Sequence, residues 1–192
     1  MFKSKYVLPI SLGVALMLSG CASNSPSAPT KVSTPDEFLD ASAQELFSTV
    51  EKVYKTEYFA LGIPKGWKVL SFDNAKLASY ISVEKEDHST LVTIRVAKAI
   101  RNNVDESCQL AIEGLKSNGV QLSADVGVAF GTCVVEGKDN EKDVALWLRQ
   151  YDDDNSTYSI NYTGSLENVG ELLSYLVGNE KLMQWCALFK IN

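Results

Sequence analysis

From residue 59 onward the spacing of apolar residues drops to two, and that alternation limits the fold more than anything else in the chain. In 91–98, Val92, Ile94 and Val96 fall on one side and Thr93 and Arg95 on the other, as in a strand with one face buried. A strand at 79–85 precedes it across the four-residue loop Glu86-Asp87-His88-Ser89. Alternation returns at 120–123, 127–136, 143–151 and 157–163, with Asp152-Asp153-Asp154-Asn155 as the last loop. Connections this short join antiparallel neighbours. Upstream, Phe59, Leu61 and Ile63 alternate with Ala60 and Gly62 and lead into Ile63-Pro64-Lys65-Gly66. With Pro second and Gly fourth, this predicts a type I turn, and a strand opens at Trp67.

Helical spacing frames these strands. Thr34-Pro35-Asp36-Glu37 supplies a cap, a first-turn proline and the acid of a capping box. Leu39, Ala43, Leu46, Phe47, Val50, Val53 and Tyr54 then recur at steps of three and four, predicting a helix over 34–55. Asn103 opens a second helix with the stripe Val104, Cys108, Ala111, Ile112 and Leu115, and Gly119 ends it. Ser165 caps a third, carrying Leu166, Val169, Leu172, Leu173, Leu176 and Val177 up to Gly178. A short helix from Glu180 follows. The expected class is α+β: an antiparallel β-sheet flanked by helices.

The first twenty residues belong to a different physics. Lys3 and Lys5 precede an uncharged apolar run, Tyr6–Met17, too short for a bilayer span of roughly 20 residues and typical of a cleaved signal. The run ends in Leu18-Ser19-Gly20-Cys21, which resembles the lipobox of bacterial lipoproteins. That resemblance implies cleavage between Gly20 and Cys21 and lipid attachment on the Cys21 sulfur. Several acyl chains, at roughly 0.8 kcal/mol per buried CH₂, make such an anchor effectively permanent. Ala22, where Asp would favour inner-membrane retention, points to the outer membrane facing the periplasm. Small, polar and Pro-bearing residues follow, so the organisation read is a signal peptide at 1–20, a disordered tether at 21–33 and a single α+β domain at 34–192.

The signal takes two of the 18 lysines and arginines with it, which leaves a net charge of −8 against 24 acidic residues. The charges are dispersed, so nucleic acid is excluded as a partner. Cys108, Cys133 and Cys186 remain after Cys21 is acylated. An oxidising envelope permits disulfides, yet three thiols cannot all pair. A Cys108–Cys133 bond would tie a helix to the strand beneath it. Three buried free thiols satisfy the sequence equally well.

Catalytic chemistry finds few carriers. His88 is the sole histidine and falls in a charged loop; no nucleophile motif accompanies it. Asp152, Asp154 and Ser156 begin like a calcium loop, but Thr157 and Thr163 stand where its Gly and Glu belong. No metal and no cofactor is expected. Trp147 and Tyr151 flank Arg149 at alternate positions, a candidate binding face if helices leave that side of the sheet open. Thr93, Arg95, Ser159, Asn161 and Thr163 argue for one wetter face. Burial of Trp147 under a helix is the competing expectation.

The segment Phe59-x-Leu61-x-Ile63-Pro64-x-Gly66-Trp67, followed by strands, a helix, more strands and a closing helix, resembles the PsbP-like superfamily, which includes DcrB-type envelope domains. In element order the likeness spans about 58–178, and the helix at 34–55 is an addition to it. The resemblance implies an α/β/α sandwich and a non-enzymatic binding, assembly or accessory role with an envelope protein partner. An envelope hydrolase or small-ligand carrier is the alternative.

Overall fold

The structure, a computed structural model, describes residues 39–98, 103–129 and 131–187, with side chains to 183. The lipobox with Cys21, the tether at 21–33 and the helix start at 34–37 lie outside the described residues. In chain order the elements are α1 (Ala41–Phe47), β1 (Lys52–Lys55), β2 (Phe59–Ile63), β3 (Trp67–Ala75), β4 (Ala78–Lys85), β5 (Leu91–Lys98) and α2 (Val104–Ser117). They continue with β6 (Gln121–Leu122), β7 (Gly127–Ala129), β8 (Thr132–Asp139), β9 (Lys142–Tyr151), β10 (Ser156–Thr163), α3 (Leu166–Leu173), β11 (Leu176–Gly178) and α4 (Glu180–Ala187). Mostly antiparallel sheet with a few helices, the chain is of the α+β class.

The large sheet runs β3-β4-β5-β10-β9-β8-β6, with β7 also paired to β8, and a small sheet runs β1-β2-β11. Every pairing is antiparallel. Register lines up Ile81, Ile94, Ile160 and Trp147 across four neighbouring strands. These side chains form the floor of the core. Its roof comes from Phe59 and Leu61 of β2, Val169 and Leu172 of α3, and Leu182 of α4. Polar contacts clamp the roof down: the Lys85 ammonium donates to Asn168 at 2.7 Å and lies 3.0 Å from Glu171, while the Asn168 amide donates to Thr90 Oγ1.

Tight turns explain the sharp reversals. His88 adopts φ 60° in the β4–β5 loop and Asn155 φ 51° in the β9–β10 loop. Asn tolerates the left-handed region better than most residues. Gly164, at φ 121°, ends β10 so close to β5 that any Cβ would collide with the Ser89 carbonyl oxygen. Between β1 and β2 the buried Thr56 hydroxyl accepts from the amides of Tyr58 and Phe59 and satisfies the corner.

Four local expectations need correction. The expected helix over 34–55 is, among the described residues, only Ala41–Phe47. Asp40 caps it by accepting from the Ala43 amide, and the Ser48 and Thr49 hydroxyls donate back to Glu45 and Leu46 carbonyls at its end. Val53 and Tyr54 instead pair with β2, where β-branched and aromatic residues sit comfortably. The turn closes one residue later than expected, Trp67 N–H to Pro64 C=O, with Gly66 third at φ 86°. That is the backbone of a type II turn rather than type I. The segment 127–136 is a hairpin, β7 and β8, with Gly131 at φ 73° in its turn. The third helix stops at Leu173, and Leu176–Gly178 becomes β11 because the free edge of β2 offers it hydrogen bonds. Leu176 satisfies helical spacing and strand burial alike, so spacing alone could not choose.

Candidate interaction surface

The core covers one face of the large sheet. Over the other, among the described residues, α2 packs on β6–β9. Asn103 starts this helix by accepting from the Glu106 amide at 2.8 Å. Cys108, Ala111 and Leu115 form its buried stripe. They rest on Cys133 and Val135, both 0% exposed, whose cross-strand neighbours are Leu148 and Leu146. Cys108 and Cys133 form a disulfide with Cα atoms 5.5 Å apart. The helix is therefore bonded covalently to the strand below it.

Beyond that helix the same face turns polar. Arg95 of β5 lies between Tyr80 of β4 and Ser159 of β10, and Thr93 lies between Ser82 and Asn161. Residues directly opposite in a ladder share a face. All six are half-buried. The Ser82 and Thr93 hydroxyls bond each other at 2.8 Å. Arg95 makes no ion pair among the described residues. A guanidinium set among hydroxyls, an amide and a phenol is suited to binding a carboxylate or carbonyl-rich chain.

Trp147, Arg149 and Tyr151 do not form this face. Alternation does put them on one side of β9, but on the side of Ile160 and Ile94. Trp147 is 3% exposed and packs edge-on against Tyr162 at 5.6 Å. Only Arg149 and Tyr151 reach the end of that layer. The Arg149 guanidinium and the Lys181 ammonium lie 5.4 and 4.9 Å from the Tyr151 ring centre. The Tyr151 hydroxyl donates to the Lys181 carbonyl at 3.0 Å. This cluster fastens α4 to the β9–β10 hairpin.

The acidic loop belongs to the same fastening. The Lys181 ammonium is 2.6 Å from Asp153 and 3.0 Å from Asp154, and the Ser156 hydroxyl donates to Asp154. Burial works against charge at Asp154, yet the hydrogen bonds from Ser156 and Lys181 outweigh it and hold the carboxyl below its ordinary value. For Lys181, burial again opposes charge, and the two carboxylates outweigh it and raise the ammonium. Among the described residues no cluster of three metal-ligating side chains occurs. His88 is 67% exposed in its side chain, with Nδ1 2.9 Å from Glu84. The Glu84 carboxyl is lowered chiefly by its hydrogen bond from Lys68.

Sequence spacing located Thr93, Arg95, Ser159 and Asn161 on a wetter face but missed Tyr80 and Ser82. Their signal was present in β4, where Tyr80 and Ser82 alternate with Ile81 and Val83. What spacing lacked was register, which is needed to see that this row faces away from Trp147.

No family model and no curated protein matches this chain. A crystal structure from Bacteroides thetaiotaomicron VPI-5482 is similar over 64% of this chain and 46% of its own, with 13% identity and a TM-score of 0.32. The chain thus spans less than half the length of that protein, and a likeness this loose carries no argument about fold or function.

Proposed function

We propose that this chain is a lipid-anchored protein of the bacterial envelope. In this reading Cys21 carries the lipid, the outer membrane facing the periplasm is its site, and the α+β body is a PsbP-like sandwich. It acts as a non-enzymatic binding or assembly module for an envelope protein. The half-open sheet face centred on Arg95 is the observation that carries the binding role. A row of half-buried polar side chains on a rigid sheet, with Arg95 in no ion pair among the described residues, is preorganised for a partner and costs little to order on binding. The lipobox pattern carries the location.

Photo-crosslinking in cells tests it, with p-benzoylphenylalanine replacing Tyr80 in the full-length chain. One envelope protein should be captured, and Arg95→Glu should abolish the capture. A probe at 80 that captures nothing, in cells where the chain is needed for growth or envelope integrity, refutes the binding role. A purified wild-type chain that turns over a substrate, and loses that activity on Arg95→Ala, refutes its non-enzymatic character.

A further inference from the structure

A second surface lies at the β3 edge of the large sheet. Leu70, Phe72 and Leu77 are 52%, 37% and 62% exposed, all on the β3–β4 hairpin. The Phe72 ring is extended by Tyr54 of β1, 5.0 Å away, and the Lys52 ammonium lies 4.7 Å from the Tyr54 ring centre. Residues 52–77 contain five lysines (Lys52, Lys55, Lys65, Lys68, Lys76) against two acids, Glu57 and Asp73, in a chain of net charge −6. Lys68 is engaged with Glu84 at 2.9 Å; Lys52, Lys55, Lys65 and Lys76 are exposed. Asp73 pairs across to Tyr80 and so belongs to the polar face.

We propose that this edge rests on an anionic bilayer surface, with Leu70, Phe72 and Leu77 entering the interface and the lysines meeting lipid phosphates. The inference rests on the anchored reading above. Exposed apolar side chains on a lysine-rich segment are the composition that lipid interfaces select, since the stems can lie in the acyl boundary while the ammonium groups stay at headgroup level. Geometry agrees with it. The described chain enters at Leu39, which lines a groove with Phe47 and Val53, and Val53 adjoins Tyr54 in the same strand. Cys21 and Leu39 are eighteen positions apart in sequence, so the chain between them can reach at most about 60–65 Å. The anchor point and the patch are therefore within reach of one membrane. Strand addition to the β3 edge is the competing use. The register of β3 slips between Val69 and Ser71, where Leu70 bulges, and a bulge spoils an edge as a template.

The test uses lipidated full-length chain, extracted from cells and reconstituted in vesicles. One set contains phosphatidylethanolamine and phosphatidylglycerol at three to one, the other phosphatidylcholine alone. Leu77→Cys is reacted with an impermeant maleimide and read at its own peptide by mass spectrometry. Leu110→Cys, on the exposed side of α2, is the control. Reaction at 77 should slow about tenfold on the anionic vesicles. It should recover on phosphatidylcholine and in the triple variant Lys52→Gln, Lys65→Gln, Lys76→Gln, while position 110 reacts equally throughout. Equal reactivity at 77 on both vesicles overturns the proposal, as does protection that rises with protein density, the mark of a second copy. The same spectra report Cys21: a bare thiol there defeats the anchored reading itself, whereas a lipidated Cys21 with an unprotected 77 defeats only the docking.

Discussion

Val92, Ile94 and Val96 of β5 are no more than 1% exposed, whereas Thr93, Arg95 and Ala97, interleaved with them, are half-buried. The same eight residues build both faces of the sheet, so backbone and register are shared and only side chains differ. On the first face the small sheet, α3 and α4 complete the core. On the second, α2 covers β6–β9, where Cys133, Val135, Leu146 and Leu148 are apolar, and stops where the row becomes Thr93, Arg95, Ser159 and Asn161. Coverage follows local chemistry, because each apolar side chain removed from water contributes about 25 cal/mol per Å². A polar row offers a helix no such return.

The sharpest way to break this contrast is a large cavity on the covered face. Trp147→Ala should cost about 3–5 kcal/mol in unfolding free energy, through lost transfer energy and the void left against Tyr162. Urea unfolding followed by circular dichroism measures it. A loss under 1 kcal/mol would mean Trp147 is not held as its burial says, and that the two faces are energetically alike.

Next comes the disulfide, which belongs to the half-covered face. Cys108 and Cys133 are 25 residues apart in sequence, and closing a loop of that size in the unfolded chain stabilises the fold by about 3.5 kcal/mol. Replacing both with alanine should lower stability by roughly that amount. Amide exchange should accelerate first in α2 and β7, and last in β5 and β10. Uniform acceleration instead would show that α2 and the core open together, erasing the distinction between the faces.

Much of this architecture was legible in the residues. The alternation in 91–98 and 157–163 matched β5 and nearly matched β10, and the Asn103–Glu106 pair marked the start of α2. Pairing partners were not legible. Nothing in Leu176-Val177-Gly178 announces that it will add to β2, because the hydrogen bonds that decide it belong to a strand over a hundred residues earlier. The candidate site suffered likewise. Trp147, Arg149 and Tyr151 were correctly set on one side of their strand, and the open side was found in part, but which side was open is a property of register and packing. Patterns of period two fix what shares a face; only the assembled sheet fixes what covers it.

A smaller effect sits at the end of the covered face, where Lys181 bridges Asp153 and Asp154. Asp154 has a lowered folded pKa, so its contribution is present above the ordinary carboxylate value and is lost as pH falls through the folded value. Lys181 has a raised one, so its contribution is present below the ordinary lysine value and is lost as pH rises through the folded value. The pair should therefore contribute across the range between about pH 4 and pH 10. Both acids are well exposed, so solvent screening holds the contribution to about 1 kcal/mol or less. Lys181→Met should differ from wild type by that much at pH 7, and the difference should shrink in 1 M salt and fade as pH drops through the lowered folded value of Asp154. A difference that persisted in acid would assign it to packing against Tyr151 instead.

The smallest expected effect is the one on which the binding role depends. Thr93→Ala, Arg95→Ala and Ser159→Ala should each leave stability within about 0.5 kcal/mol of wild type, since half-buried side chains away from the core rarely matter more. Thr93 gives up its bond to Ser82, yet the Ser82 hydroxyl is half-buried and water can replace the partner. Arg95 gives up no ion pair among the described residues. Parallel urea titrations of the three variants decide the matter. If Arg95→Ala alone removes more than 1 kcal/mol, the row is holding the sheet together and is not a surface kept for a partner. If all three are silent in unfolding while Arg95→Glu still abolishes capture from position 80, the polar row is maintained for contact outside the chain, because the fold itself does not need it.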